Sequence, residues 1–178
     1  QVPTVNALPG EYPDVRGNKA LDNAWFVRQD IVCECPKAAN EKALDILQKG
    51  VDSLGFRIPG DKVSAEYIQT LLEGILPECV ELNFQTCQRH AVELAKVLDT
   101  YYTQKGYDKT KVSGSIGFDP IEKILCKGKD MSAMVATAKE MVEALAAYPA
   151  MRAITVHASR LTDSGAYSYQ DLGYALAW

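Results

Sequence analysis

The sequence predicts an α/β protein in which parallel β-strands alternate with α-helices. Short apolar or β-branched stretches begin near residues 53, 80, 111 and 152, and segments with helical periodicity lie between them. With 178 residues, 47% hydrophobic and 24% charged, the chain is long enough for one globular core. Helices between successive strands are the connections that parallel strands require, so we predict a sheet of βαβ units.

Residues 1–38 are predicted to form an extended N-terminal arm. Proline and glycine interrupt this segment repeatedly and no period is sustained. Its one apolar cluster, Trp25-Phe26-Val27, is expected to anchor the arm to the body of the protein. The four βα units are assigned to residues 39–178.

The first half of this body contains two strands and two helices. A helix over Glu41–Lys49 begins after Asn40 and ends before Gly50. Ser64 is the predicted N-cap of the second helix, which places Ile68, Leu71 and Leu72 on one face. The predicted strands are Ser53–Ile58 and Val80–Phe84.

The second half repeats the pattern. A long helix over Cys87–Lys105 ends at Gly106, and a glycine-rich strand follows over Lys111–Gly117. Asp119 and Asp130 are predicted N-caps of two further helices. The predicted fourth strand is Arg152–Ala158, followed by a polar loop over 159–166 and a helix from Ser168.

The strands are predicted to be the first half of a TIM-type (β/α)₈ barrel. A doubly wound sheet would normally carry a phosphate-binding loop after its first strand, but the loop here reads Pro59-Gly-Asp-Lys62, without either glycine-rich signature. Eight units at this spacing need a chain of about 250 residues. Because a half-barrel has two open edges, we expect the arm or a second copy to cover them, as in a homodimer.

Charge and cysteine content exclude several classes of function. The net charge of −4 is spread along the chain, which argues against nucleic acid or an anionic membrane as partner. There is neither a run of about 20 apolar residues nor a signal-peptide pattern. The five cysteines indicate reduced thiols in a cytoplasmic protein, and Cys33-Glu-Cys35 lacks the spacing of a metal site.

Four polar residues, Arg57, Gln85, Asp119 and Arg160, lie at or just beyond the carboxyl ends of the predicted strands, where α/β proteins place their sites. No catalytic residue is assigned, and the candidate ligand-pocket residues are Arg28, Gln85, Lys127 and Arg160. Salt bridges within the fold would explain the arginines equally well. Asp119 is more simply a helix cap, and His157 a structural histidine at a strand end.

Three stretches carry a resemblance to a known family. They are Trp25-Phe-Val-Arg-Gln29, the segment from Ala39 to Phe56, and the last unit with Gly165-Ala166 in its loop and Gln170–Ala177 in its helix. Together they resemble the N-terminal arm, the first helix and strand, and the fourth βα unit of the methylmalonyl-CoA mutase family.

The resemblance implies a (β/α)₈ barrel with the coenzyme A thioester along its axis and a separate C-terminal domain that binds adenosylcobalamin. It also implies a heterodimer of a large catalytic subunit and a small, inactive homologue. The expected chain is the N-terminal portion of the small subunit, binding no cofactor itself. Neither His90 nor His157 lies in the family's cobalt-ligating D-x-H-x-x-G motif.

The positions aligned with catalytic residues of the family favour the small subunit. Asp30 stands where the catalytic barrel has a tyrosine, and Gly117 where it has a glutamine. Lys127 replaces an arginine that binds the substrate carboxylate, and Ser159-Arg160 replaces a Tyr-His pair.

Two alternatives remain open. One is a self-contained α/β enzyme that uses Asp119, His157 or Arg160 for acid–base chemistry. The other is a module that binds a CoA thioester without reaction.

Overall fold

The computed structural model describes residues 6–12, 16–17 and 25–177, except for the side chain of Cys126. Residues 1–5, 13–15 and 18–24 of the predicted arm, and Trp178, lie outside the described residues. The strands are β1 (Arg28–Val32), β2 (Ser53–Arg57), β3 (Glu81–Gln85), β4 (Ser113–Gly117) and β5 (Ala150–Arg152). The helices are α1 (Pro36–Leu47), α2 (Ala65–Leu71), α3 (Ala91–Lys105), α4 (Pro120–Lys127), α5 (Met131–Ala144), α6 (Ser159–Asp163) and α7 (Ser168–Ala177). Short 3₁₀ turns occupy Gly60–Lys62 and Gln88–His90.

The five strands form one parallel sheet in the order β1-β2-β3-β4-β5. Each strand pairs with its neighbours in sequence, whereas a doubly wound sheet reverses direction at a switch point. Neighbouring helices pack in chain order, α1 on α2, α2 on α3 and α3 on α5. The predicted α/β class is thus confirmed, and the arrangement is consistent with part of a TIM-type barrel.

The two faces of the sheet differ in chemistry. The helix-covered face carries apolar side chains such as Leu54, Phe84 and Ile116, all of which are buried. On the other face a polar network crosses the sheet, because side chains alternate along a strand. Ser53 Oγ donates to Glu81 Oε2 at 2.6 Å, and Arg152 pairs with the other Glu81 oxygen.

Asn83 joins this network to the next strand. Its amide nitrogen donates to Ser53 Oγ and to Glu81 Oε2, both at 3.1 Å, while its carbonyl oxygen accepts from Ser115 Oγ at 2.7 Å. The network therefore links β2, β3, β4 and β5 through hydrogen bonds that are mostly buried.

Several predicted helix ends are confirmed. The side chains of Ser64, Asp119 and Asp130 each accept a hydrogen bond from the backbone N–H three residues ahead. Gly106 ends α3 in the left-handed conformation, with φ of 73°. These ends depend on local chemistry, which is why the sequence predicted them.

The structure adds a strand to the predicted arm and corrects two predicted elements. A fifth strand, β1, lies within the segment predicted as an extended arm, and it covers the β2 edge, as the arm was expected to do. The strand expected over Arg152–Ala158 pairs with β4 only as β5, over Ala150–Arg152. The loop expected over 159–166 contains α6.

The apolar cluster Trp25-Phe26-Val27 does not anchor the segment as expected. These three side chains are 73%, 60% and 48% exposed, respectively. The attachment is instead polar, because the backbone N–H of Val27 donates to Asp52 Oδ1 at 2.6 Å. Among the helices that the structure describes, none combines the length and the apolar character needed to cross a membrane.

Candidate functional site

A polar cavity of about 650 Å³ lies at the carboxyl ends of β2, β3 and β4. Arg57, Gln85 and Gly117 line it as the last residues of these strands. α4 and α6 complete its wall with Glu122, Lys123 and Arg160, among others. It is thus at the sheet edge where parallel α/β folds place ligands.

Glu122 is the centre of the ionic contacts in this cavity. Its Oε1 accepts from Arg160 Nε at 2.9 Å, and its Oε2 lies 3.1 Å from His157 Nδ1. Gln88 Nε2 also donates to Oε2, at 3.1 Å. Burial alone would raise the pKa of Glu122, but the contacts with His157 and Arg160 outweigh it and hold the pKa below its usual value. Glu122 is therefore ionised at neutral pH.

Asp119 fixes the backbone on both sides of the cavity. Its Oδ1 caps α4 by accepting from the N–H of Glu122 at 3.0 Å, and its Oδ2 accepts from the N–H of His157 at 2.8 Å. The side chain is fully buried, and each oxygen has a donor. Asp119 thus ties the α4 N-terminus to the segment after β5, which supports the structural interpretation of this residue.

Asp119, Glu122 and His157 also bring three potential metal ligands within 4.8 Å of one another. The oxygens of Asp119 and Glu122, however, already accept hydrogen bonds from protein donors, including the permanent cation Arg160. A divalent ion would have to displace that guanidinium. The arrangement therefore fits an ion-pair network that holds α4 and α6 together.

Two of the four predicted ligand-binding residues, Gln85 and Arg160, line the cavity. Lys127 is exposed at the end of α4 and does not line it. Arg28 lies at the opposite end of the sheet and pairs with Asp30 at 2.8 Å. Whether any of these residues binds a ligand stays a prediction.

Sequence reasoning missed Glu122 and Lys123, which extend the cavity onto α4. A signal for Glu122 was present, because Asp119-Pro-Ile-Glu122 has the spacing of a capping box. The contacts of Glu122 with His157 and Arg160 join residues far apart in the sequence, and local patterns do not reveal such pairs.

Gly117 leaves space in the cavity without being required by packing. A Cβ at this position would have Gln85 Cγ and Phe84 O as its nearest neighbours, each at an ordinary 3.5 Å. The backbone there would accept a larger side chain. Packing therefore does not require a glycine at position 117, and the cavity has no side-chain functional group there.

The histidines do not fit the role of a cobalt ligand. Neither His90 nor His157 stands two residues after an aspartate, as in the D-x-H-x-x-G motif. The described residues therefore do not suit adenosylcobalamin in the manner of that motif.

Comparison with known proteins gives consistent matches along the chain. A family model described as methylmalonyl-CoA mutase matches residues 62–178. The methylmalonyl-CoA mutase small subunit of Porphyromonas gingivalis is 42% identical over 176 residues, which are 98% of this chain and 28% of the relative. The small subunit of Streptomyces virginiae is 29% identical over 173 residues, 96% of this chain and 28% of the relative.

A third relative, the methylmalonyl-CoA mutase small subunit of Propionibacterium freudenreichii subsp. shermanii, is 27% identical over 174 residues, 95% of this chain and 27% of the relative. The chain thus spans little more than a quarter of the length of these relatives. The family model and the first relative agree with the resemblance seen in the sequence, and the chain belongs to the methylmalonyl-CoA mutase family.

Proposed function

We propose that this chain is the N-terminal portion of a small mutase subunit that performs no chemistry and assembles with a large catalytic subunit. The holoenzyme would interconvert methylmalonyl-CoA and succinyl-CoA with adenosylcobalamin bound elsewhere. The names of the relatives support a partner subunit, since each is called a small subunit. A heterodimer and a cytoplasmic location follow as parts of the same proposal.

The residues at the positions aligned with the family's catalytic groups support the proposal that the subunit is inactive. The resemblance implies that the family's radical rearrangement depends on aromatic side chains that shield the radical and on hydrogen bonds to the thioester carbonyl of the substrate. Here Gly117 presents no side chain, and Asp30 lies on β1 paired with Arg28. His157 and Arg160 are the two basic residues in the segment between β5 and Gly165, and both contact Glu122.

The test uses the full-length small subunit assembled with its large partner. Glu122→Gln and His157→Ala in the small subunit should leave the turnover of the holoenzyme within about twofold, since neither group takes part in the reaction. A general acid or base contributes about 10² to 10⁴ in rate. A loss of that size in a complex that remains assembled would overturn the proposal, as would turnover by the small subunit alone.

Assembly should depend on the exposed apolar side chains near the N-terminus. Trp25, Phe26 and Tyr12 are 73%, 60% and 93% exposed, and such residues are enriched at the cores of interfaces. Replacing Trp25 and Phe26 by Ala should weaken subunit association at least about tenfold, as one lost hot spot does. Leu76→Ala, an exposed leucine after α2, is the matched control. Equal affinities for both variants would exclude this segment from the interface.

A further inference from the structure

The cavity at the strand ends retains positive charge that the network around Glu122 does not neutralise. Arg160 is paired with Glu122, but Arg57 and Lys123 form no ion pair with any acidic side chain in the described part of the chain. Asp163 is the one remaining acid among the lining residues. The lining therefore favours an anion.

A thiol with a lowered pKa lies in the wall of the same cavity. Cys87 lines the cavity, and hydrogen bonds from Arg89 together with the charges of Arg89 and Lys123 hold its pKa below the usual value. Gly60 brings the loop after Arg57 against this cysteine, because a Cβ at Gly60 would lie 3.0 Å from Cys87 Cβ and 2.8 Å from His90 Cδ2. Cys87 thus lies in the wall of the cavity, close to the loop that follows Arg57.

Two polar atoms on lining residues also lack partners. Thr86 Oγ1 and Gln88 Oε1 are buried and have no hydrogen-bond partner among the described residues. Buried polar atoms are ordinarily satisfied. The threonine hydroxyl can donate to an anionic oxygen, whereas the glutamine carbonyl needs a donor. A ligand that satisfies both must offer an acceptor to Thr86 and a donor to Gln88.

We infer that this cavity binds a phosphate group, with Arg57 and Lys123 as its cationic contacts and Thr86 and Gln88 as polar ones. Free monohydrogen phosphate supplies two charges and an O–H donor, whereas a phosphate monoester keeps an O–H on phosphorus only as its monoanion. Arginine is suited to phosphate through its planar pair of donors, and lysine acts as a point charge. The site is independent of catalysis, so the small subunit can contain it while performing no reaction.

The test follows alkylation of Cys87 in the full-length protein with neutral iodoacetamide, read by peptide mass spectrometry. Bound phosphate should slow alkylation, because it blocks access and raises the pKa of the thiol. Cys79 is exposed outside the cavity and serves as the internal reference. Burial raises the pKa of Cys33 to about 11, so this cysteine should stay unmodified while the fold is intact.

Variants distinguish phosphate binding in the cavity from a general effect of salt on alkylation. Arg57→Gln and Lys123→Gln should each raise the phosphate concentration for half protection about tenfold, as expected for one lost charged hydrogen bond. Lys127→Gln removes the same charge from the same helix outside the cavity and should change nothing. Sulfate has the charge but no donor, so it should protect more weakly. An organic phosphate monoester that carries a hydroxyl on its organic part, and that protects better than inorganic phosphate, would identify the ester as the natural source.

Three results would overturn the inference. They are unchanged alkylation of Cys87 at every phosphate concentration, equal slowing at Cys79, and protection that Arg57→Gln and Lys123→Gln leave intact. Sulfate as effective as phosphate would refute the role assigned to Gln88. None of these outcomes depends on turnover, so failure here is distinct from failure of the proposed function.

Discussion

Gly114 is the position in the sheet where a single methyl group should do the most damage. It has a φ of 146°, and a Cβ built on it would lie 1.7 Å from the carbonyl oxygen of Leu82, its partner in the register of β3 and β4. Gly114→Ala must therefore strain the backbone or push the two strands apart. Such backbone strain costs about 1–3 kcal/mol, and overpacking adds about 1–3 kcal/mol. We expect a loss of about 2–6 kcal/mol in local stability.

Native-state hydrogen exchange of peptides from β3 and β4 measures this loss, since it reports local opening in a protein larger than one cooperative unit. At about 1.4 kcal/mol for each factor of ten, exchange should accelerate between about 30-fold and 10⁴-fold. Gly117→Ala is the control on the same strand, because its Cβ would meet no atom closer than 3.5 Å. Equal exchange rates in the two variants would refute the steric argument.

Three further substitutions test particular contacts by the same exchange measurement. Asn40→Ala removes the buried amide that donates to the carbonyls of Leu71 and Glu73 at 2.8 and 2.7 Å, and should cost about 2–3 kcal/mol at the end of α2. Asp119→Ala removes the α4 cap and should cost about 1–3 kcal/mol, with faster exchange also after β5, whereas unchanged exchange there would contradict the link. For Glu81, burial raises the pKa, but its hydrogen bonds and the nearby arginine lower it overall. Because the folded pKa lies below the ordinary value of 4.5, the stabilisation is complete above that pH and disappears as pH falls below it. The Glu81→Gln variant should therefore lose less stability on acidification than the native chain.

The sequence predicted most of the elements that local chemistry determines, although α1 begins at Pro36 and the expected cap Asn40 lies inside it. Ser64, Asp119 and Asp130 were recognisable as caps because a cap depends on its own side chain and the next three residues. β1 was missed because its residues, Arg-Gln-Asp-Ile-Val, alternate poorly and only Ile31 is buried. Its strand character comes from pairing with β2, which no local pattern contains.

The same distinction applies to the cavity. Gln85 and Arg160 were predicted because they follow strands, and strand ends meet at one edge of a parallel sheet. The segment after Arg152 is apolar and β-branched, yet it remains outside the β4–β5 ladder. In this segment the backbone N–H of Thr155 donates a hydrogen bond to the carbonyl oxygen of Phe118, just after β4, at 2.9 Å. Strand length here depends on partners rather than on composition.

The sequential strand order has a consequence for how the protein is made. Because each strand from β2 to β5 pairs with the one synthesised just before it, these four pairings need no distant part of the chain. Loop closure between neighbouring units is short, which favours rapid structure formation. The sheet can therefore grow one unit at a time as the polypeptide leaves the ribosome, each new helix shielding the preceding apolar surface before aggregation can begin.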